Sequence, residues 1–248
     1  MNRYFLELQF KGTHYCGWQI QPDNPTVQAE INQKLSTLLK EPVETVGAGR
    51  TDTGVHARHF IAHFDCTSDI KKQHPQLVNK LNQFLPKDIA VQRIIPVSGN
   101  AHARFDAIER TYKYYITCRK DVFRQDYSWP LRYHLDLQLM NEGAELIRRT
   151  RDFTSFSKLH TDVKTKLCQV KHAAWSKSDD LLIFTISADR FLRNMVRSIV
   201  GTLVHLGRKK LLISDLDSII ESKDRSCAKD SAPAKGLFLE EIRYPYGL

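Results

Sequence analysis

Between Gly47 and Ala57 the chain reads G-A-G-R-T-D-T-G-V-H-A, a glycine-punctuated segment that sets one carboxylate, Asp52, two residues from a guanidinium, Arg50. Gly47, Gly49 and Gly54 allow positive φ and close approach by a ligand, and the hydroxyls of Thr51 and Thr53 can fix the position of the aspartate. Asp, Gly and Thr are also ordinary turn residues, and an Arg near an Asp is often only a solvated pair. A loop that had only to turn would not need this density of chemical groups, so the composition reads as catalytic.

Three further segments carry groups suited to a polyanionic or aromatic ligand. His102 to Tyr115 reads H-A-R-F-D-A-I-E-R-T-Y-K-Y-Y. Strand alternation sets Tyr112 and Tyr114 on one face and Lys113 and Tyr115 on the other. Tyrosine rings suit stacking on an unpaired base, and Arg104, Arg110 and Lys113 suit phosphate, although a Tyr-rich strand needs no ligand to explain it. Asp189 to Arg208 predicts a helix over Phe191–Leu206, with Leu192, Val196, Ile199 and Leu203 inward and Arg190, Arg193 and Arg197 on a second stripe. Such a stripe is usually a solvated face, with RNA contact or pairing to a carboxylate as the alternative. In the tail from Ala232, Gly236 marks a bend before a core strand fed by Leu237, Leu239 and Ile242. Phe153 and Phe156 form an aromatic pair at strand spacing that reads as core.

The elements that must hold these groups follow from periodicity. Strands are predicted at Arg3–Phe10, Val43–Val46, His59–Asp65, Ile89–Ile95, Thr111–Cys118, Lys166–Trp175, Leu181–Ala188 and Leu237–Tyr244. Helices are predicted after Asn24-Pro25 (apolar positions Val27, Ile31, Leu35 and Leu38), at Pro75–Leu85 and at Asp136–Arg149. Mixed strands and helices of this kind argue for an α+β architecture with a largely antiparallel sheet. A mild composition shift at Pro96–Ala103 sets the expected boundary, giving an N-terminal subdomain over 1–100 and a C-terminal one over 101–248.

The chain has 248 residues, 42% hydrophobic and 26% charged, which suits a soluble globular protein with a sizeable core. Its 37 Lys and Arg exceed 28 Asp and Glu, for a formal charge of +9. That favours a polyanionic partner, nucleic acid first. No apolar run approaches the roughly 20 residues of a spanning helix, and the opening residues lead straight into a strand pattern, so a cytoplasmic protein without membrane association is expected. Five scattered cysteines with no C-x-x-C pair read as reduced thiols. His56, His59 and His63 with Asp65 could be drawn as a metal cluster, but strand alternation makes a structural role the better reading, and no metal is expected. Neither a G-x-G-x-x-G nor a Walker loop occurs in its proper setting, so no nucleotide cofactor is expected.

Taken together, these segments resemble the tRNA pseudouridine synthases of the TruA family. The matching elements are A-G-R-T-D-x-G-V-H-A around Asp52, A-R-F-x-A-x-x-R-x-Y-x-Y from Ala103, F-x-x-x-M-V-R-x-I-V-G from Phe191, and the closing G-L of Gly236-Leu237. Tyr15-Cys16-Gly17-Trp18-Gln19 resembles that family's Y-x-G-W-Q. The resemblance implies the pseudouridine synthase fold, two related α/β halves sharing the sheet with a basic cleft between them, and a homodimer. It implies a cofactor-free isomerase converting uridine to pseudouridine at positions 38, 39 or 40 of the tRNA anticodon stem-loop. By matching positions Asp52 is the nucleophilic aspartate, Tyr112 packs on the target base, Arg50 helps flip the base or binds phosphate, Arg197 is the basic partner of the aspartate, and Leu237 lines the uracil pocket. The chain departs from the common pattern at Asp106, at Arg190 and Arg193, and in a short C-terminus.

The reaction itself sets requirements. The N-glycosidic bond must break, the base must turn in place, and carbon 5 must bond to C1′. Asp52 must stay ionised in a partly dry pocket, which a fixed guanidinium from Arg197 or Arg50 would favour. Attack on C1′, attack on the ring, and deprotonation of the ribose all remain open. A noncatalytic basic tRNA-binding protein is the alternative, and an N-glycosidase pairing Asp52 with Asp106 is another rival.

Overall fold

The computed structural model describes residues 1–158 and 163–247, which form two compact units. The first comprises Met1–Ile108 with Leu239–Leu248, the second Glu109–Phe238.

In the first unit the long strands run in the order β4 (Ile89–Val97), β1 (Asn2–Phe10), β3 (His56–Cys66), β9 (Leu237–Arg243), and β1 pairs antiparallel with both β3 and β4. Phe5 and Leu6, consecutive on β1, are both fully buried, so both faces of the strand are covered. Tyr244 and Tyr246 cover the Phe5 side, with ring centroids 5.4 and 6.3 Å away. Arg3 makes a bidentate pair with Asp65, directly opposite it in the register, at 2.7 Å through each arm.

Helix α1 (Val27–Leu39) starts on Thr26, whose hydroxyl accepts from the Ala29 N–H, and buries Val27, Ile31, Leu35 and Leu39. The strict four-residue step from Leu35 selects Leu39, not the expected Leu38, as the inward residue. The polar stripe of the same helix explains why Val43–Val46 does not form the expected strand. Asn32 Oδ1 accepts from the Thr45 N–H at 3.0 Å, Gln28 Nε2 donates to the Thr45 carbonyl at 2.6 Å, and Ser36 Oγ accepts from the Val43 N–H at 2.9 Å. These backbone groups are satisfied by a helix, and only β2 (Val46–Gly47) pairs with β3. The helix expected over Pro75–Leu85 is α3 (Leu77–Phe84), preceded by a single turn, α2 (Ile70–Gln73).

The histidines of β3 are structural acceptors. The Nδ1 atoms of His56, His59 and His63 accept backbone N–H groups from Gly12, Ile242 and Ala103 at 3.1, 3.0 and 3.2 Å. Each therefore carries its proton on Nε2 when neutral.

In the second unit β5 (Glu109–Thr117), β8 (Leu181–Ala188) and β7 (Val170–Ser178) form an antiparallel sheet, with β6 (Trp129–Pro130) pairing parallel to the end of β5. The predicted strand from Lys166 starts only at Val170, because Lys166 and Cys168 bond instead to Phe153 and Arg151. Phe153 and Phe156 are fully buried, as core, but on a 3-10 turn. Helix α4 (Leu137–Arg149) packs on β7 and on α5 (Met195–Gly207), followed by α6 (Ile213–Ser222). Helix α5 is buried on all sides, and only Arg197 and His205 are partly exposed. Its late start, with Asn194 left-handed at φ 65°, overturns the expected arginine stripe: Arg190 and Arg193 precede the helix and Arg197 alone lies on it.

Burial, followed by the charges of His102 and Arg3, pushes His63 down to about 4. Burial lowers His59 too. A histidine that stays neutral when folded and takes up a proton near pH 6.5 when unfolded stabilises the fold fully above pH 6.5, and that contribution is lost as pH falls towards 4. For His63 the loss is about 3 kcal/mol. Asp65 and Asp106, held below the usual carboxylate range by Arg3 and by the His102 N–H respectively, lose theirs only at lower pH. Thermal unfolding followed from pH 7 to 4.5 is expected to show a falling Tm, and His63→Gln, which keeps an acceptor for Ala103, is expected to flatten that fall. An unchanged slope would refute the assignment.

Candidate active site

Asp52 lies half-buried in the loop between β2 and β3, a stretch with almost no regular hydrogen bonding of its own. The Ala48 N–H extends the strand pairing to the Ile61 carbonyl at 2.8 Å. The Val55 N–H then closes a turn onto the Asp52 carbonyl at 3.1 Å, with Gly54 at φ 79° in the third position, where a type II turn takes glycine. Of the three glycines expected to use positive φ, Gly54 alone does. At Gly47 the close approach comes from the Trp18 indole of the same chain.

The loop is fixed chiefly by the segment 12–18. Gly17 has φ 87°, and a Cβ built there would lie 2.1 Å from the Thr51 carbonyl oxygen and 3.4 Å from the Asp52 carbonyl carbon. Next to it the Gly54 N–H donates to the Tyr15 carbonyl at 3.3 Å, and the buried Tyr15 anchors its hydroxyl on Asp88 at 2.7 Å. Trp18 packs on Phe60 of β3 at 4.3 Å between ring centroids, and its carbonyl accepts from Gln28 in the first turn of α1. This is the work of the Y-x-G-W-Q element, which composition alone did not disclose. The expected role of the threonine hydroxyls is not found: Thr53 is exposed, and the buried Thr51 Oγ1 has no hydrogen-bond partner among the described residues. Arg50 is exposed and makes no ion pair with Asp52 among the described residues.

The second unit holds Tyr112, Arg197 and Leu237. Tyr112, on β5 opposite Ile186, is half-buried, with its ring edge-on to Phe191 at 5.1 Å and 87°. Arg197, in the first turn of α5, donates from Nε to the Ala232 carbonyl at 2.8 Å while its own carbonyl accepts from the Ala232 N–H at 2.9 Å. That two-way clasp fixes the guanidinium plane. It requires the chain at 230–232 to run against the helix, and Gly201 permits this: a Cβ there would lie 1.9 Å from the Asp230 carbonyl oxygen. Tyr114 donates to the Pro233 carbonyl at 2.8 Å and its ring packs against Gly236, immediately before the buried Leu237. Burial pushes the Tyr114 hydroxyl far above its ordinary range, with the Arg197 charge in partial opposition, so it stays a neutral donor. The unit thus brings Arg197, Tyr114 and Leu237 into one neighbourhood around the 232–236 segment.

Asp106, the candidate second carboxylate, is committed elsewhere. Its Oδ2 accepts from the His102 N–H at 2.7 Å and from the Tyr246 hydroxyl at 2.9 Å, pinning the C-terminal segment to the first unit.

A family model described as tRNA pseudouridine synthase matches residues 8–106 and 150–245. The chain belongs to the tRNA pseudouridine synthase family. The match takes in Arg50, Asp52, Arg197 and Leu237 and passes over Tyr112. Relatives named tRNA pseudouridine synthase A extend the likeness to nearly the whole chain. The protein of Parabacteroides distasonis is 52% identical over 245 residues, covering 99% of this chain and 97% of the relative. That of Porphyromonas gingivalis is 51% identical over 250 residues, covering 100% and 99%. That of Treponema denticola is 42% identical over 251 residues, covering 98% and 93%. The mixed α/β build with largely antiparallel sheets is thus that of a pseudouridine synthase, as the motifs implied.

Because Gly17 has no room for a side chain, Gly17→Ala is expected to push the Asp52 loop off its seat. A stability loss of roughly 2–4 kcal/mol should accompany it. A displacement near 1 Å would cost about a hundred-fold in turnover. Denaturant unfolding and tRNA turnover assays check both, and parental values would contradict this account of the loop.

Proposed function

We propose that the protein is an enzyme that isomerises uridine to pseudouridine in tRNA, with Asp52 as its catalytic carboxylate. The observation that carries this reading is the full-length match to tRNA pseudouridine synthases with the Asp52 loop intact and backbone-locked. In the finer reading the targets are the uridines at positions 38 to 40 of the anticodon stem-loop. The enzyme works as a cytoplasmic homodimer without cofactor. Support comes from the motif resemblance, the net charge of +9, and the lack, among the described residues, of any helix long and apolar enough to cross a membrane.

The steps can be assigned to groups. A stacked uridine must be extruded first, at a cost of a few kcal/mol that cationic contacts to phosphate offset. Arg50, exposed and not engaged by Asp52, suits that task. Tyr112 offers its ring to the extruded base, held edge-on by Phe191, and Leu237 supplies an apolar wall. The N1–C1′ bond breaks, the uracil turns, and C5 bonds to C1′. The C5 hydrogen leaves as a proton to solvent and N1 gains one, so the product has the mass of the substrate. Arg197, its plane set by Ala232, serves as the fixed cation for the carboxylate. Hydrolysis by a carboxylate pair is disfavoured, because Asp106 is spent on His102 and Tyr246.

The test is release of tritium from tRNA labelled at carbon 5 of uridine. Asp52→Asn is expected to abolish release while tRNA affinity stays within a few fold. Release near the parental rate would sink the assignment, and free uracil would point to a glycosidase. Tyr112→Ala should cost about ten- to a hundred-fold in kcat/KM, the worth of one stacked base, and Tyr112→Phe clearly less. Equal losses would move the role from the ring to the hydroxyl.

A further inference from the structure

Helix α5 carries Arg197 at its first turn, and a second concentration of charge lies at its other end. Arg208 follows the last residue of the helix, eleven residues and about 16 Å along the axis from Arg197. Its guanidinium lies 3.9 Å from the ring centre of Tyr133, a tyrosine 54% exposed that reaches the site from the segment before α4. Lys210 follows, and Lys229 arrives from a third stretch of chain, seated by its N–H on Thr202 Oγ1 at 3.3 Å. All three cations act on His205: burial first, then the charges of Arg208, Lys229 and Lys210, lower its pKa, with Asp230 alone opposing.

The cluster is not compensated within the protein. Among the described residues no carboxylate pairs with Arg208, Lys210 or Lys229, and the nearby Asp136 is taken by Lys209 at 3.3 Å and by the Leu139 N–H that it caps. The carbonyl end of a helix does favour cations, by about 0.3–1 kcal/mol each. That accounts for Arg208 but not for Lys229, which belongs to another segment, nor for the exposed ring beneath Arg208. Cations that repel one another in the folded protein are relieved by an external polyanion, and a tyrosine–arginine stack beside them offers a flat face to a nucleotide.

We propose that Arg208, Lys210 and Lys229, with Tyr133, form a second RNA-contact surface that holds the phosphate backbone of tRNA at the end of α5 remote from Arg197. The proposal rests on tRNA being the substrate. Its role is affinity and register: the surface holds the body of the tRNA while the target uridine is handled elsewhere.

The test is the salt dependence of tRNA binding to the full-length protein, compared with the triple variant R208Q/K210Q/K229Q. The slope of log K against log salt is expected to fall by about 2, at roughly 0.7–0.9 per lost phosphate contact. KM for tRNA should rise about ten-fold, with the loss falling on KM rather than kcat. The charge-keeping variant R208K/K210R/K229R should retain the parental slope, and Tyr133→Ala should weaken binding without changing it. An unchanged slope and KM in the triple variant would overturn the proposal, as would a fall in kcat and Tm at constant slope, which marks a structural role. Because the slope is read from binding alone, it judges this surface even if the parent formed no pseudouridine, a result that would instead defeat the functional reading.

Discussion

The placement of Asp52 depends on one close approach between two stretches of backbone. The Gly17 main chain lies so near the Thr51 carbonyl that no side chain fits between them, and its φ of 87° is open to glycine at little cost. A loop of eight residues with hardly any ladder bonds would otherwise drift, and this contact gives the Asp52 backbone a fixed seat. The contact is itself supported from behind. Trp18 packs on Phe60, the Gln28 N–H donates to the Trp18 carbonyl, and the stripe Gln28, Asn32 and Ser36 of α1 holds residues 43–45, which lead into the loop. One helix thus holds both the segment that enters the Asp52 loop and the Trp18 that follows Gly17.

The second unit solves a similar problem with a helix. A helix buried on every side has little freedom to shift, and α5 uses that rigidity at both ends. Near its start the backbone of Ala232 clasps Arg197, and the Gly201 contact brings that backbone within reach. Near its end Arg208 rests on Tyr133. Charges set on such a frame are preorganised, so they act on a ligand without first being ordered.

Much of this was legible in the sequence where the pattern was long and periodic. Strand β8 falls at its predicted bounds, and β1, β4, β5, β9, α1 and α4 start or end within a residue or two of theirs, because alternation or a four-residue repeat ran through each. The misreadings share a cause: side chains or distant backbone satisfied groups that local pattern assigned to a neighbour strand. Val43–Val46 reads as a strand, but Val43 and Thr45 take Ser36, Asn32 and Gln28 as partners and only Val46 joins the ladder. Lys166–Cys168 bonds to residues 151–153. The arginine stripe failed because Asn194 turns left-handed just before α5, a local event that leaves no periodic trace. The helix α6, with only Leu216 and Ile219 buried, carried too little apolar pattern to be seen. At the candidate site, residue types drew attention to Asp52 and Arg50, whereas the structural support of their loop came from Gly17, whose signal is the absence of a side chain.

We propose that Asp52 of this chain converts uridine to pseudouridine in the anticodon stem-loop of tRNA. The most direct measurement is primer extension on an unmodified tRNA transcript incubated with the protein and then treated with a carbodiimide that leaves stable adducts on pseudouridine. New stops are expected next to uridines at positions 38 to 40, absent with the Asp52→Asn protein and absent at other uridines. Stops confined to other parts of the tRNA, or identical stops with the Asp52→Asn protein, would contradict it.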